Sequence, residues 1–332
     1  MRVDLRCCLF LALSFALVIP RGSSQTGTGP YPFSTFDNRG FDSINLGNLN
    51  VHLDIPVFHK AGRGLPFTYD LTYDGLVWQP YSVSGGSTWT PVQNFGWTAQ
   101  TVIQTGYVSY DKTTYQCSSG AFYTIFDNFV YHDTWGVSHA FTGQLEYDKH
   151  DCDLGNLPSF TSGTGDGSGL TLTATESVGV VNRTIITTRN GTSVNAPRSS
   201  TDGSTITDTN GNEISVSSSG VYTDTLGVAA LTVAGTPPTN VTLTYPNVSG
   251  GTASYTIKYS SYNIQTNFGC SGIGEYSASG ASLISEIDRA DGTKYSFTYE
   301  PTPNGSGTVT GRLASITLPT GGTISYAYSG GC

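Results

Sequence analysis

Charge is scarce in this sequence. Only 12% of its 332 residues are Asp, Glu, Lys or Arg, against about 25% in an ordinary globular chain. The surfaces of α-helices are built from those residues, so a helical bundle or coiled coil is excluded. Methionine occurs once, at the start, and the net charge is −9 with no basic run beyond a few spaced arginines near the N-terminus. A nucleic-acid backbone would find no electrostatic footing here, so no nucleic-acid partner is expected. Long apolar runs are missing too: nothing after the first 24 residues approaches the roughly 20 residues of a membrane-spanning helix. What the chain has instead is 41 Gly, 15 Pro, 20 Tyr and 15 Phe, a composition of turns and aromatic strands. An all-β fold whose core is filled by Tyr, Phe and Trp follows.

Residues 1–24 read as a Sec-type signal peptide: Arg2 and Arg6 precede the apolar stretch from Cys7 to Ile19, and Gly22, Ser23 and Ser24 offer a cleavage site. The expected location is therefore secreted or cell-surface. Cleavage removes Arg2, Arg6, Arg21 and Asp4, which takes the net charge from −9 to −11. Four of the six cysteines remain, Cys117, Cys152, Cys270 and Cys332, and four allow three connectivities. Cys117 with Cys152 is the expected disulfide, because the two flank one continuous block of strand-like sequence. No zinc-ligand spacing is present.

Alternation of period two marks strands. Leu49, Val51, Leu53 and Ile55 point one way, then Phe67, Tyr69, Leu71 and Tyr73 do the same after the glycines of Lys60-Ala-Gly-Arg-Gly64. Gly106 sits where a further hairpin would turn. Asp-x-x-Gly recurs at Asp133–Gly136, Asp208–Gly211 and Asp224–Gly227, and each is a sound hairpin tip, since Asp accepts from amides two residues on and Gly takes positive φ. The clearest repeat is near the end. Ile287-Asp-Arg-Ala-Asp-Gly-Thr-Lys-Tyr-Ser-Phe-Thr-Tyr299 aligns without a gap on Ile316-Thr-Leu-Pro-Thr-Gly-Gly-Thr-Ile-Ser-Tyr-Ala-Tyr328. Gly292 matches Gly321, Ser296 matches Ser325, and Tyr299 matches Tyr328.

The strand, glycine turn, Tyr-x-Tyr and following Gly311-Arg312-Leu313 resemble the YD repeat of RHS-repeat proteins. The stretches from Gly47 to Pro56 and from Gly62 to Asp74 resemble the segment with which many secreted members open their repeat region. In its last unit the sequence departs from the family's usual turn, with Thr320 in place of Asp. The resemblance implies a large β-sheet spiralling into a hollow shell, which in many members encloses a C-terminal toxin; the shell is a container and not a catalyst. The fold class expected is all-β, with antiparallel hairpin repeats in a curved or spiralling sheet and a β-rich N-terminal region. The expected organisation is the leader (1–24), an N-terminal β region (25–162), a Gly-rich linker (163–169), a Ser/Thr-rich repeat-like β region (170–280) and two YD-like repeats (281–332). The partners implied are further C-terminal repeats or an effector that this chain does not contain.

No motif selects an active site, so no catalytic, cofactor-binding or metal-binding residues are assigned. The histidines are His52, His59, His132, His139 and His150. His132-Asp133 with His139 across a hairpin is the best catalytic-looking group, but no nucleophile elbow or His-Glu-x-x-His accompanies it, and ordinary hairpin surface is the expectation. The acidic run Asp148, Asp151 and Asp153 reads as a solvated turn beside the disulfide. Asp208-Thr-Asn-Gly-Asn-Glu213 lacks the closing Glu of a calcium loop, with Ser219 in its place. Trp78, Tyr81, Trp89, Trp97 and Trp135 lie in or beside Gly/Ser-rich loops. They read either as filling for a wall short of Leu and Ile, or as a platform for cell-surface glycans at Trp89 and Trp97. The competing functional class is a secreted carbohydrate-binding or adhesin β-sandwich, and a glycosidase is the third.

Overall fold

The computed structural model describes residues 35–38, 40–83, 85–101, 106–133, 137–148, 152, 155–199 and 202–329. The leader, Gly136, Trp135, His150, Asp151, Asp153 and Cys332 lie outside them. The chain is almost entirely antiparallel β, and a single 3₁₀ turn, Gln93–Gly96, is the one helical element among the described residues.

Three smaller sheets accompany one large curved sheet. The first holds five strands, Phe36–Asn38, Asp42–Asn45, Val51–Lys60, Phe67–Asp74 and Trp97–Thr101, in that order. The second has four, with the long strand Phe122–His132 paired to Tyr107–Gln116 on one side and to Ser138–Ala140 and Leu145–Asp148 on the other. The third is the hairpin Trp78–Val83 with Gly86–Pro91, joined by the short strand Ile273–Gly274. The large sheet has 14 strands, which run in chain order from Ser159–Gly163 to Thr323–Ser325. Apart from Ile273–Gly274, each strand after residue 158 hydrogen-bonds to the next, so the sheet is one long meander.

Alternation decides which face of the meander is covered. Leu172, Ile186, Val194, Ile206 and Ile214 stand directly opposite one another on five successive strands. Further along, Leu243 faces Tyr255, Ile257 faces Ile287, and Phe297 faces Ile316, which faces Ile324. Directly opposed residues share a face, so a continuous apolar ladder lines one side. The four-stranded sheet covers its start, where Phe126, Phe129 and Leu145 join Leu172 and Ile186 in one core. The five-stranded sheet covers the rest: Leu53, Ile55, Phe67 and Tyr73, all fully buried, join Ile214, Leu243, Ile287, Leu313 and Ile316 in the larger core. Burying each such side chain is worth about 1.5–3 kcal/mol, which neither sheet would gain alone.

One turn type closes hairpin after hairpin. Gly191, Gly211, Gly220, Gly227, Gly250, Gly292 and Gly321 each donate to the carbonyl three residues back, and that earlier residue donates to the carbonyl after the glycine. Their φ values lie between 74° and 87°, the left-handed region where a type I turn meets a G1 bulge. Asp208 and Asp224 cap their own turns, each Oδ1 accepting two backbone N–H groups.

Three expectations change. Residues 163–169 are no linker: Thr164 N–H donates to Leu170 C=O, Ser159–Gly163 pairs with Thr171–Ser177, and the glycines close a hairpin within the large sheet. The strands on either side of Gly106 belong to different sheets, so no hairpin turns there. Leu49 leaves the apolar alternation, with a φ of 59° and 70% exposure, because the strand starts at Val51.

Candidate functional site

The five-stranded sheet meets the repeat strands along a seam of aromatic side chains. Trp97 Nε1 donates to the Tyr299 hydroxyl at 3.3 Å, and that hydroxyl donates to Ile284 C=O at 2.7 Å. The Tyr73 hydroxyl accepts the Leu313 N–H at 2.9 Å, and Tyr328 donates to Leu313 C=O at 2.9 Å. Trp78 Nε1 donates to Thr310 C=O at 2.8 Å. Tyr326 donates to Asp42 Oδ2 at 3.2 Å, which ties the last repeat to the first sheet. Burial raises the pKa of Tyr73 and Tyr299 and pushes that of Tyr328 up to about 12. These phenols therefore stay neutral donors at any physiological pH.

Each residue of Gly311-Arg312-Leu313 has a distinct task at this seam. Gly311 has a φ of 82°, and a Cβ there would lie 2.6 Å from the Phe95 ring. The Arg312 guanidinium lies 4.2 Å from the Tyr328 ring centroid and 4.8 Å from that of Phe268. It grips Glu300 through two bonds of 2.8 and 3.0 Å. Leu313 is fully buried. Two-bond Arg–carboxylate pairing against aromatic faces is the geometry that rewards Arg over Lys.

Trp89 and Trp97 do not form a platform. They are 9% and 4% exposed, so neither presents a face to a glycan. Trp97 packs edge-on to Phe297 with 4.9 Å between ring centroids, and Trp89 edge-on to Phe268 at 5.5 Å. Among the described members of this set, Tyr81 alone stands out, at 62% exposure. A chain with few aliphatic residues fills the space between its sheets with indole and phenol rings.

The histidine pair is brought close but divided between different partners. His132 sits between Ser109 Oγ (2.9 Å) and Ser138 Oγ (3.0 Å), with the Tyr107 ring stacked on it at 4.3 Å. Burial lowers its pKa despite the opposing pull of Asp133. The Asp133 carboxylate lies 3.4 Å from His139 Nε2 instead, and Asp166 lies 2.6 Å from His139 Nδ1. Asp166 belongs to the 163–169 tip of the large sheet, so His139 clasps two sheets together. Burial pushes the Asp166 carboxyl up, but its bonds to Ser168, His139 and Thr164 outweigh that and hold it far below the usual carboxylate range. Asp166 lies 27 residues from its histidine, so no local pattern pairs the two.

Cys117 and Cys152 form a disulfide with Cα atoms 5.6 Å apart, and Cys270 is disulfide-bonded as well. Among the described residues no group of three or more His, Cys, Asp or Glu could hold a metal ion. In the Asp208 turn both carboxylate oxygens are taken up by Asn210 and Asn212 donors. Among the described residues no helix is long and apolar enough to cross a membrane. No protein-family model and no curated protein matches this chain.

Proposed function

We propose that the chain is a non-catalytic structural segment of an exported RHS/YD-repeat protein, a stretch of β-shell that serves as scaffold or envelope for an effector. The observation that carries the reading is the equivalence of the two repeats in space. Tyr299 and Tyr328, 29 positions apart, each donate to a carbonyl 15 residues earlier. Both units close with the same glycine turn and lie side by side in one sheet, where the second strand of the first unit pairs with the first strand of the second. A hairpin of this kind cannot bury its own faces, so it gains stability only from its neighbours. That is the property of wall material, and the disulfides suit an oxidising compartment.

Electron microscopy of the product of the complete reading frame tests the proposal. A hollow β-shell around a polypeptide protected from protease is the expected result. A solid closed domain, or saccharide binding or hydrolysis by the chain itself, would overturn it.

A further inference from the structure

A cleft of about 280 Å³ opens between the edge strand Trp97–Thr101 of the first sheet and the covered face of the large one. Its floor is aliphatic, with Leu71, Val241, Ile257, Leu283 and Ile284. Besides Tyr69 and Trp97, whose polar atoms are bonded to Tyr222 and Tyr299, four polar side chains line it, Asn94, Thr98, Tyr259 and Ser282, and none of these four makes a side-chain hydrogen bond among the described residues. No charged side chain lines the cleft.

The backbone at its rim is unusual. Asn94 and Phe95 have φ of 52° and 51°, and Gly96 follows at 87°, three consecutive residues in a region that side chains disfavour. Packing explains Phe95, whose ring lies against Gly311 and Trp78. It does not explain Asn94, which is exposed and is left with its amide at the cleft. Left-handed non-glycine residues concentrate at ligand clamps, where the surrounding structure holds them.

We infer that this cleft is a binding site for a small neutral molecule with an apolar ring body and one or two hydroxyl or carbonyl groups. The volume lies just below the range of about 300–1,000 Å³ usual for ligand sites, which suits one or two rings. A charged ligand would lose its hydration without gaining a counter-ion. A sugar, with hydroxyls all round its ring, would leave several of them against the aliphatic floor without partners. A phenol suits both parts: its ring covers the floor while its hydroxyl can both donate and accept among Asn94, Thr98, Tyr259 and Ser282. The inference goes beyond the shell reading, and neither depends on the other.

Titration of the full chain with p-cresol, followed by ligand-observed NMR and Trp fluorescence, tests it, with glucose and a tyrosine-containing tripeptide as comparison probes. Saturable binding of p-cresol at millimolar or lower concentration is expected. Ala99→Phe, which fills the cleft from the edge strand, should abolish binding, and Asn94→Gly should weaken it several-fold while leaving the protein at least as stable, because glycine relieves the rim. Absence of saturable binding overturns the inference, and so does equal binding by Ala99→Phe or stronger binding of glucose or the peptide. Should Ala99→Phe fail to fold, Asn94→Gly and Thr98→Val decide, and unchanged affinity in both defeats the site.

Discussion

The Tyr299 hydroxyl donates to the Ile284 carbonyl oxygen at 2.7 Å. It stitches one repeat strand to the strand next to it in the sheet, and the same hydroxyl accepts Trp97 Nε1 from the sheet beneath. Removing the oxygen as Tyr299→Phe leaves a carbonyl and an indole N–H unsatisfied in the core. That should cost about 2–3 kcal/mol. Tyr328→Phe takes the donor from the Leu313 carbonyl and a side-chain partner from the Tyr73 hydroxyl, at a partly buried site, so about 1–2 kcal/mol is expected. Urea unfolding of the two variants checks the order, and a smaller loss for Tyr299→Phe than for Tyr328→Phe would show that the Trp97 contact carries nothing.

Much of this arrangement is visible in the sequence because it is local. Val51, Leu53 and Ile55 alternate with polar residues, and glycine at the fourth turn position marks seven of the hairpin tips. The Asp-x-x-Gly pattern found only part of the set, since Thr188, Ser217, Asn247, Arg289 and Leu318 open turns of the same geometry. The glycine φ makes the turn, and the first residue merely decorates it. Contacts between sheets are not visible in this way. Trp97 and Tyr299 are 202 positions apart, so no window of sequence shows that Trp97 is buried. Residues 163–169 look like a linker for a related reason: glycine-rich composition is the same in a linker and in a long hairpin turn, and the pairing of Ser159–Gly163 with the strand from Thr171 distinguishes them.

The Cys117–Cys152 bond closes a loop with a sequence separation of 35 residues, tying the tip of the Tyr107–Gln116 and Phe122–His132 hairpin to the segment after Leu145–Asp148. Loop-closure entropy then predicts a loss of about 2–4 kcal/mol when this one bond is removed. Replacing both cysteines with serine should lower the thermal midpoint by a comparable amount, with the far-UV spectrum unchanged. An unaltered midpoint would mean that the reduced chain already holds the tip in place.

Gly311 and Gly321 have nearly equal φ values, 82° and 87°, yet different surroundings. At Gly321 nothing lies within 4 Å of an added Cβ, whereas at Gly311 the Phe95 ring lies at 2.6 Å. Gly321→Ala should therefore cost only the backbone strain, about 1 kcal/mol. Gly311→Ala adds a collision in the seam and should cost about 1–3 kcal/mol more. If the two variants unfold at the same urea concentration, Phe95 moves aside freely and the glycine of the Gly-Arg-Leu motif has no packing role.

Glu286 faces the ammonium groups of Lys258, at 2.6 Å, and Lys294 on the two neighbouring strands of its own sheet. Their hydrogen bonds outweigh its modest burial and bring its pKa down from 4.5 to about 2. A carboxyl whose pKa is lower in the folded state than in the unfolded chain contributes stability above the unfolded value, and loses it as the pH falls through the folded one. Wild-type protein should thus weaken between pH 4.5 and about 2, and Glu286→Gln should weaken less over that interval while being the less stable variant near neutrality. The group is on the surface, so added salt should shrink the difference between the two proteins. Parallel pH profiles for wild type and Glu286→Gln would place the acid sensitivity elsewhere. The next candidate is Asp224, where burial opposes ionisation but the Lys60 ammonium and the amides of Val228 and Leu226 hold the carboxyl below its ordinary range.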